Sequence, residues 1–347
     1  MAEGYCGCEG ASTVTPRAPA RKTARRGALA VLLLVLAAGA APSLVYPSWA
    51  ATTQCAPALV ADLAVRRDQN TPVVTVWIDG KPVDLVLDTG AAVSFVTHSQ
   101  AKALDLPAGH AAGQLLGMGG AQPRQVVDGR ILEIRTPGLP ALRIDLDLTI
   151  GTVGPSLGRL GSLGTDVLQA YALDLDLAHD RVRLFRPSPC KPAHQPTLPP
   201  GWSEAGEALE FVRQAPPGRP LVMVTLAGTP ALALIDSGAT RSAAAVAFAK
   251  LAGPPGTAVA GSAIAEGVGG GRVQGREQVF AAFRIGRLVW KDFPMLVADT
   301  AFPKFDLLIG EDVLATRRVW LSFPQRKLRF GRATIQKTPA GPSRQGQ

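Results

Sequence analysis

Asp88-Thr89-Gly90-Ala91 and Asp236-Ser237-Gly238-Ala239 are the residues of this chain whose types and spacing suit them to chemistry. Each set follows a short apolar run, residues 83–87 and 231–235, which delivers an aspartate to a turn. A carboxylate at the end of a buried strand is costly unless its charge is neutralised or used. Two carboxyl groups held a few Å apart cannot both ionise readily, so one keeps a proton and the other stays charged. Such a pair supplies both halves of acid–base catalysis: the charged member takes a proton from water, and the protonated one serves the group under attack. Gly90 and Gly238 have no Cβ, which lets backbone amides approach the carboxylates closely. Thr89 and Ser237 are small enough to bond backbone across the turn. The four histidines, His98, His110, His179 and His194, show no metal-ligand spacing, so neither a metal nor a cofactor is expected.

The elements around these motifs are strands by pattern. Residues 72–78 and 83–87 are apolar runs split by Asp79-Gly80, a hairpin signature. The run before Asp88 is dense enough in apolar residues to be read as a strand buried on both faces. The glycine- and alanine-rich residues 108–120 interrupt the chain before further strands near 126–134 and 141–150. Residues 163–168 open a short helix, and residues 171–177 with 181–185 close the unit as a hairpin. The pattern then returns. The aspartates are 236 − 88 = 148 positions apart, and at that offset Pro72 meets Pro220, Val74 meets Val222, Val76 meets Val224, Gly80 meets Gly228, Pro82 meets Pro230 and Ser94 meets Ser242. Gly117-Met118-Gly119-Gly120 corresponds to Gly267-Val268-Gly269-Gly270, and Leu163-Gly164-Thr165-Asp166-Val167-Leu168 to Ile309-Gly310-Glu311-Asp312-Val313-Leu314. Leu173 and Leu175 match Val319 and Leu321. A lobe of about 120 residues has been duplicated, and a pseudo-two-fold relation sets equivalent residues face to face across its axis.

Composition agrees with an all-β protein: Gly 37 and Pro 29 among 347 residues, 47% hydrophobic and 18% charged. The net charge of +9 is dispersed. Five basic residues against Glu3 and Glu9 put +3 of it before residue 51, and the rest is scattered without a basic helix or an aromatic stacking series, which argues against nucleic acid as a partner. Residues 28–41 form a short apolar core behind Arg25-Arg26, followed by small residues at Ala38, Ala40, Ser48 and Ala50 that fit peptidase cleavage. Residues 1–50 are therefore an export signal, or a membrane anchor if residues 28–46 are retained, and the protein is expected outside the cytoplasm, periplasmic or extracellular. The expected organisation continues with lobe 1 at 56–188, a proline-rich linker at 189–207, lobe 2 at 208–332 and a polar tail at 333–347. Cys55 and Cys190 remain after export, as a disulfide or as two thiols.

The sequence resembles the retropepsin-like aspartic proteases, joined in tandem as a two-lobed single chain. Asp88-Thr89-Gly90-Ala91 and Asp236-Ser237-Gly238-Ala239 are similar to the two active-site signatures, with the retroviral alanine after each glycine. Gly117-Met118-Gly119-Gly120 and Gly267-Val268-Gly269-Gly270 resemble flap tips, one in each lobe. Leu163-Gly164 and Ile309-Gly310 resemble the apolar-apolar-glycine element before the family's helix, with Ser162 departing from the pattern in the first copy. The resemblance spans roughly residues 56–332. It implies two pseudo-symmetric all-β acid-protease lobes with a cleft between them, Asp88 and Asp236 as catalytic residues, and Thr89, Gly90, Ser237 and Gly238 as their support. It also implies cleavage of an extended peptide or protein substrate that pairs with the flaps like an added strand, by a monomer without cofactor. A catalytically silent peptide-binding envelope protein on the same scaffold is the alternative. Asp166 and Asp312 read as helix-starting residues, Ser94 and Ser242 as structural hydroxyls, and Asp84, which faces Leu232 in the repeat, as non-catalytic.

Overall fold

The computed structural model describes residues 57–333, apart from 69, 118–119, 155–159, 188–197, 200–201, 203–207, 214, 216–217, 254–257, 267–271 and 300–304. All lie in one unit, Thr53–Gln347. The leader, Cys55, Cys190, most of the proline-rich linker and the tail from 334 onward fall outside the described residues.

Asp79 and Gly80, at φ 48° and 82°, make the tight turn between strands Thr71–Ile78 and Lys81–Leu87. Two successive positive φ angles match the right-handed twist of a two-residue hairpin, and Gly supplies one without strain. From this hairpin the first lobe grows into a sheet of eight strands among the described residues. Its second and seventh strands in spatial order meet where Trp77 and Ile78 pair with Glu133 and Leu132, so the sheet closes on itself. The second lobe repeats the construction with seven described strands, closed where Thr225 and Leu226 pair with Arg284 and Phe283. Closure pairs part of the edge that an open sheet would expose, while His110–Gly117 and Ala258–Glu266 remain end strands of their sheets. The fold is all-β, with two barrel-like lobes.

Within lobe 1 the long antiparallel strands His110–Gly117 and Gly120–Ile134 form a hairpin whose last pair is Gly117 with Gly120. Residues 108–120, expected as an interruption, are instead largely its first arm. Gly and Ala have little intrinsic strand preference, and the cross-strand ladder to residues 120–126 sets their conformation. The corresponding hairpin of lobe 2 is Ala258–Glu266 with Arg272–Ile285. Expected tip residues Met118, Gly119, Gly267, Val268, Gly269 and Gly270 lie outside the described residues.

The third sheet belongs to both lobes. Its six described strands run Ala58–Ala64, Arg181–Arg186, Ala172–Asp176, Arg317–Ser322, Lys327–Ala333, Leu209–Glu210, three from each repeat. At its centre Leu173 pairs with Leu321, Asp174 with Trp320 and Leu175 with Val319. Asp174 and Trp320 are equivalent positions of the two repeats, so the pseudo-two-fold axis passes between them. Asp174 is fully buried there and held by Arg183 at 2.8 Å, Arg318 at 2.6 Å and the Trp202 indole N–H at 3.1 Å. A charge without water survives only with such partners. Phe185 and Trp202 pack on Trp320 with ring centroids 5.3 and 6.4 Å away. One apolar core runs from Val74 and Leu85 through Leu173 and Leu321 to Phe283 and Ile309, uniting the lobes.

Candidate active site

Strand Lys81–Leu87 buries Val83, Leu85 and Leu87 and leaves Asp84 and Val86 half-buried. The expectation of a strand buried on both faces is thus too strong: one face is in the core, the other partly shielded. The strand lies parallel to Gly161–Leu163, and its continuation is fixed when the Asp88 amide donates to the Leu163 carbonyl at 3.1 Å. Lobe 2 does the same, with Thr229–Ile235 beside Leu307–Ile309 and the Asp236 amide on the Ile309 carbonyl at 2.9 Å. A Cβ on Gly164 would lie 2.6 Å from the Val93 carbonyl carbon, and one on Gly310 would lie 2.7 Å from the Ala239 carbonyl oxygen. The glycine of each apolar-glycine pair is therefore required by its close approach to the aspartate loop.

Behind each loop the helix-starting aspartate grips a serine. Asp166 accepts from the Ser94 amide at 2.7 Å and the Ser94 hydroxyl at 2.6 Å; Asp312 accepts from the Ser242 amide at 2.9 Å and hydroxyl at 2.6 Å. Each serine oxygen in turn accepts from the amide of Gly164 or Gly310. Asp166 and Asp312 thus do more than begin a helix: they tie the two halves of each site together.

The lobes meet through Thr89 and Ser237, both fully buried. Thr89 Oγ1 donates to the Ile235 carbonyl at 2.8 Å and accepts from the Ser237 amide at 3.0 Å. Ser237 Oγ donates to the Leu87 carbonyl at 2.7 Å and accepts from the Thr89 amide at 3.1 Å. Four bonds thus cross the axis as two reciprocal pairs and satisfy four buried backbone groups.

Asp88 and Asp236 sit on either side of this junction, half-buried and near enough that the charge on one acid bears on the other. Asp88 Oδ1 accepts from the amides of Gly90 at 3.0 Å and Ala91 at 2.8 Å; Asp236 Oδ1 accepts from Gly238 at 2.9 Å. Each glycine also lies under the opposite carboxyl group: a Cβ on Gly238 would come within 2.6 Å of Asp88 Cγ, and one on Gly90 closer still to Asp236. Burial raises both acids above the ordinary aspartate range. Asp236 is pushed well above it because the charge on Asp88 adds to the burial. The pair therefore holds a proton under conditions where separate aspartates would have lost theirs.

The family model for aspartyl proteases matches residues 74–167 and again 222–313, once in each lobe. The chain belongs to the aspartyl protease family. Both matched segments contain an aspartate motif and its apolar-glycine partner, so the match spans both halves of the pair. No curated protein matches the chain.

Asp88, Thr89, Gly90, Asp236, Ser237 and Gly238 are brought together in one cluster. Gly117 and Gly120 stand at the end of the lobe 1 hairpin, with Leu116 beside them 67% exposed. Asp84 points elsewhere, to Arg66 and to Thr75 Oγ1 at 2.6 Å. Among the described residues no group of three His, Cys, Asp or Glu side chains is arranged to hold a metal. Three contacts at the site were not anticipated. Ser162 Oγ donates to Asp88 Oδ2 at 3.0 Å, Arg219 reaches the Gly90 carbonyl at 2.6 Å, and Arg67 of lobe 1 pairs with the buried Glu311 of lobe 2. The repeat carried a signal for the first, since Ser162 interrupts an otherwise apolar position. The two arginines have no counterpart at the repeat offset and are visible only in three dimensions.

Proposed function

We propose that this chain is an aspartic endopeptidase that hydrolyses peptide bonds with a water held between Asp88 and Asp236. The carrying observation is the carboxyl pair, formed by both halves of one chain, each acid lying over the other loop's glycine and supported by glycine amides. One carboxyl is charged and accepts a proton as the water oxygen adds to the peptide carbonyl carbon; the other gives its proton to the carbonyl oxygen. The resulting neutral gem-diol collapses when the first acid protonates the leaving nitrogen. The C–N bond breaks, and one diol hydroxyl returns its proton to the second, restoring the pair.

The lobe 1 hairpin with its exposed Leu116 supports binding of an extended peptide by strand addition. Both half-sites lie on one chain, which supports a monomer. The apolar stretch at 28–41 supports export to the cell envelope, with an uncleaved segment as anchor. Asp88→Asn and Asp236→Asn are each expected to abolish cleavage of a peptide library by the full-length protein recovered from the envelope fraction, with circular dichroism unchanged. Undiminished turnover in either variant refutes the shared pair; peptide binding without turnover by the wild type favours the silent scaffold.

A further inference from the structure

The duplicated site is not symmetric, and the inequality sits at one residue. Leu163-Gly164 corresponds to Ile309-Gly310, so Ser162 occupies in lobe 1 the place of Leu308 in lobe 2. Both side chains are 5% exposed. Ser162 lies on strand Gly161–Leu163 in register with Val86, two residues before Asp88, and its hydroxyl donates to Asp88 Oδ2 at 3.0 Å. Leu308 has no hydrogen to donate. Asp88 therefore accepts from three donors, the Gly90 and Ala91 amides and Ser162, whereas among the described residues the Asp236 carboxyl accepts from the Gly238 amide, and the Ala239 amide bonds the Asp236 main-chain carbonyl at 3.4 Å.

We propose that Ser162 is the positioning residue that assigns the roles in the pair: its hydroxyl keeps Asp88 as the charged carboxylate that accepts the water proton, and leaves the shared proton on Asp236, the acid that serves the carbonyl. This rests on the endopeptidase reading above. A hydroxyl that donates to a carboxylate stabilises its ionised form, and inside a site shielded from water such a bond is stronger than at the surface. The opposing arrangement, with Asp88 protonated and Asp236 charged, would put the charge on the acid with fewer donors and waste the Ser162 hydroxyl. Burial raises both acids, and on Asp88 the Ser162 bond acts in the opposite sense to burial.

The experiment is a 13C NMR titration of the aspartate carboxyl groups in the full-length protein, alongside pH profiles of kcat/KM on a cleaved peptide. Loss of one hydrogen bond to a charged group corresponds to roughly a tenfold change in proton affinity. Ser162→Ala is expected to move the lower titration step of the pair, and the acid limb of the profile, up by about one pH unit, with KM little changed. Ser162→Thr, which keeps a hydroxyl, is expected to restore both. If the alanine variant fails to fold, Ser162→Cys keeps the volume with a weaker donor and is expected to give a smaller shift in the same direction. A lower step that stays in place or falls in the folded alanine or cysteine variant overturns the assignment, even with turnover intact. A wild type that shows the split titration and its dependence on Ser162 but cleaves nothing overturns the endopeptidase reading and leaves the assignment standing.

Discussion

Replacing Thr89 by valine tests whether the junction between the lobes depends on hydrogen bonds or only on packing. Valine has nearly the shape of threonine, so the fully buried site is refilled without a cavity, and only the oxygen is lost. That oxygen serves two backbone groups of the other lobe, the Ile235 carbonyl at 2.8 Å and the Ser237 amide at 3.0 Å. Each buried polar group left without a partner costs about 1–3 kcal/mol. Two such groups set a range of about 2–6 kcal/mol, and relaxation toward each other's partners places the expected loss near about 3 kcal/mol. A urea titration followed by tryptophan fluorescence measures it, with Thr89→Ser as the control that keeps the hydroxyl and loses only a methyl. Cleavage should fall together with stability, because Thr89 adjoins Asp88 and the carboxyl geometry depends on the loop it fixes; a misplacement of about 1 Å can cost about a hundredfold in rate. A loss below about 0.5 kcal/mol, the level of an ordinary surface substitution, would refute the reasoning and show that the Thr89 hydroxyl is not what ties the lobes together.

Two further outcomes follow from the same geometry. Gly238→Ala would put a methyl group 2.6 Å from Asp88 Cγ, inside van der Waals contact, and is expected to lower kcat/KM at least about a hundredfold while the melting temperature falls only modestly; a fully active alanine variant would show that the carboxyl groups need not lie where the structure puts them. Glu311 is raised to about 7, chiefly by burial, which outweighs its pairing with Arg67, and its Oε1 has no hydrogen-bond partner among the described residues. Because the folded acid binds its proton more tightly than the unfolded one, the stability it contributes is complete below the ordinary value of 4.5 and is lost as pH rises through about 7. Glu311→Gln should therefore flatten the decline in stability between pH 5 and pH 8, by up to about 3 kcal/mol in urea titrations; identical slopes in wild type and variant would refute this.

Much of the site was legible because the chain states it twice. One Asp-Thr-Gly is ambiguous with turn chemistry, but a second at an offset of 148, with matching prolines, glycines and apolar-glycine pairs, has a single economical physical reading. The pairing of Asp88 with Asp236, the hydroxyl role of Thr89 and Ser237 and the need for Gly90 and Gly238 all follow from that symmetry. Residues 108–120 look locally like an interruption because Gly and Ala have weak strand preferences, and a cross-strand ladder decides their conformation.

What the sequence by itself determined is everything that repeats: an all-β duplicated lobe, the two carboxyl groups, and the residues that must be small beside them. Tertiary structure alone decided what does not repeat. The central sheet joins Asp174 to Trp320 across the axis, Arg67 crosses to Glu311, and Ser162 reaches Asp88 where Leu308 leaves Asp236 with a backbone donor. Local pattern reports which face of a strand is apolar, and symmetry reports which residues are equivalent. Neither reports which side chain of one strand meets which atom of its neighbour, because that is set by register and by the packing of two lobes. At this site that register separates two otherwise equal acids.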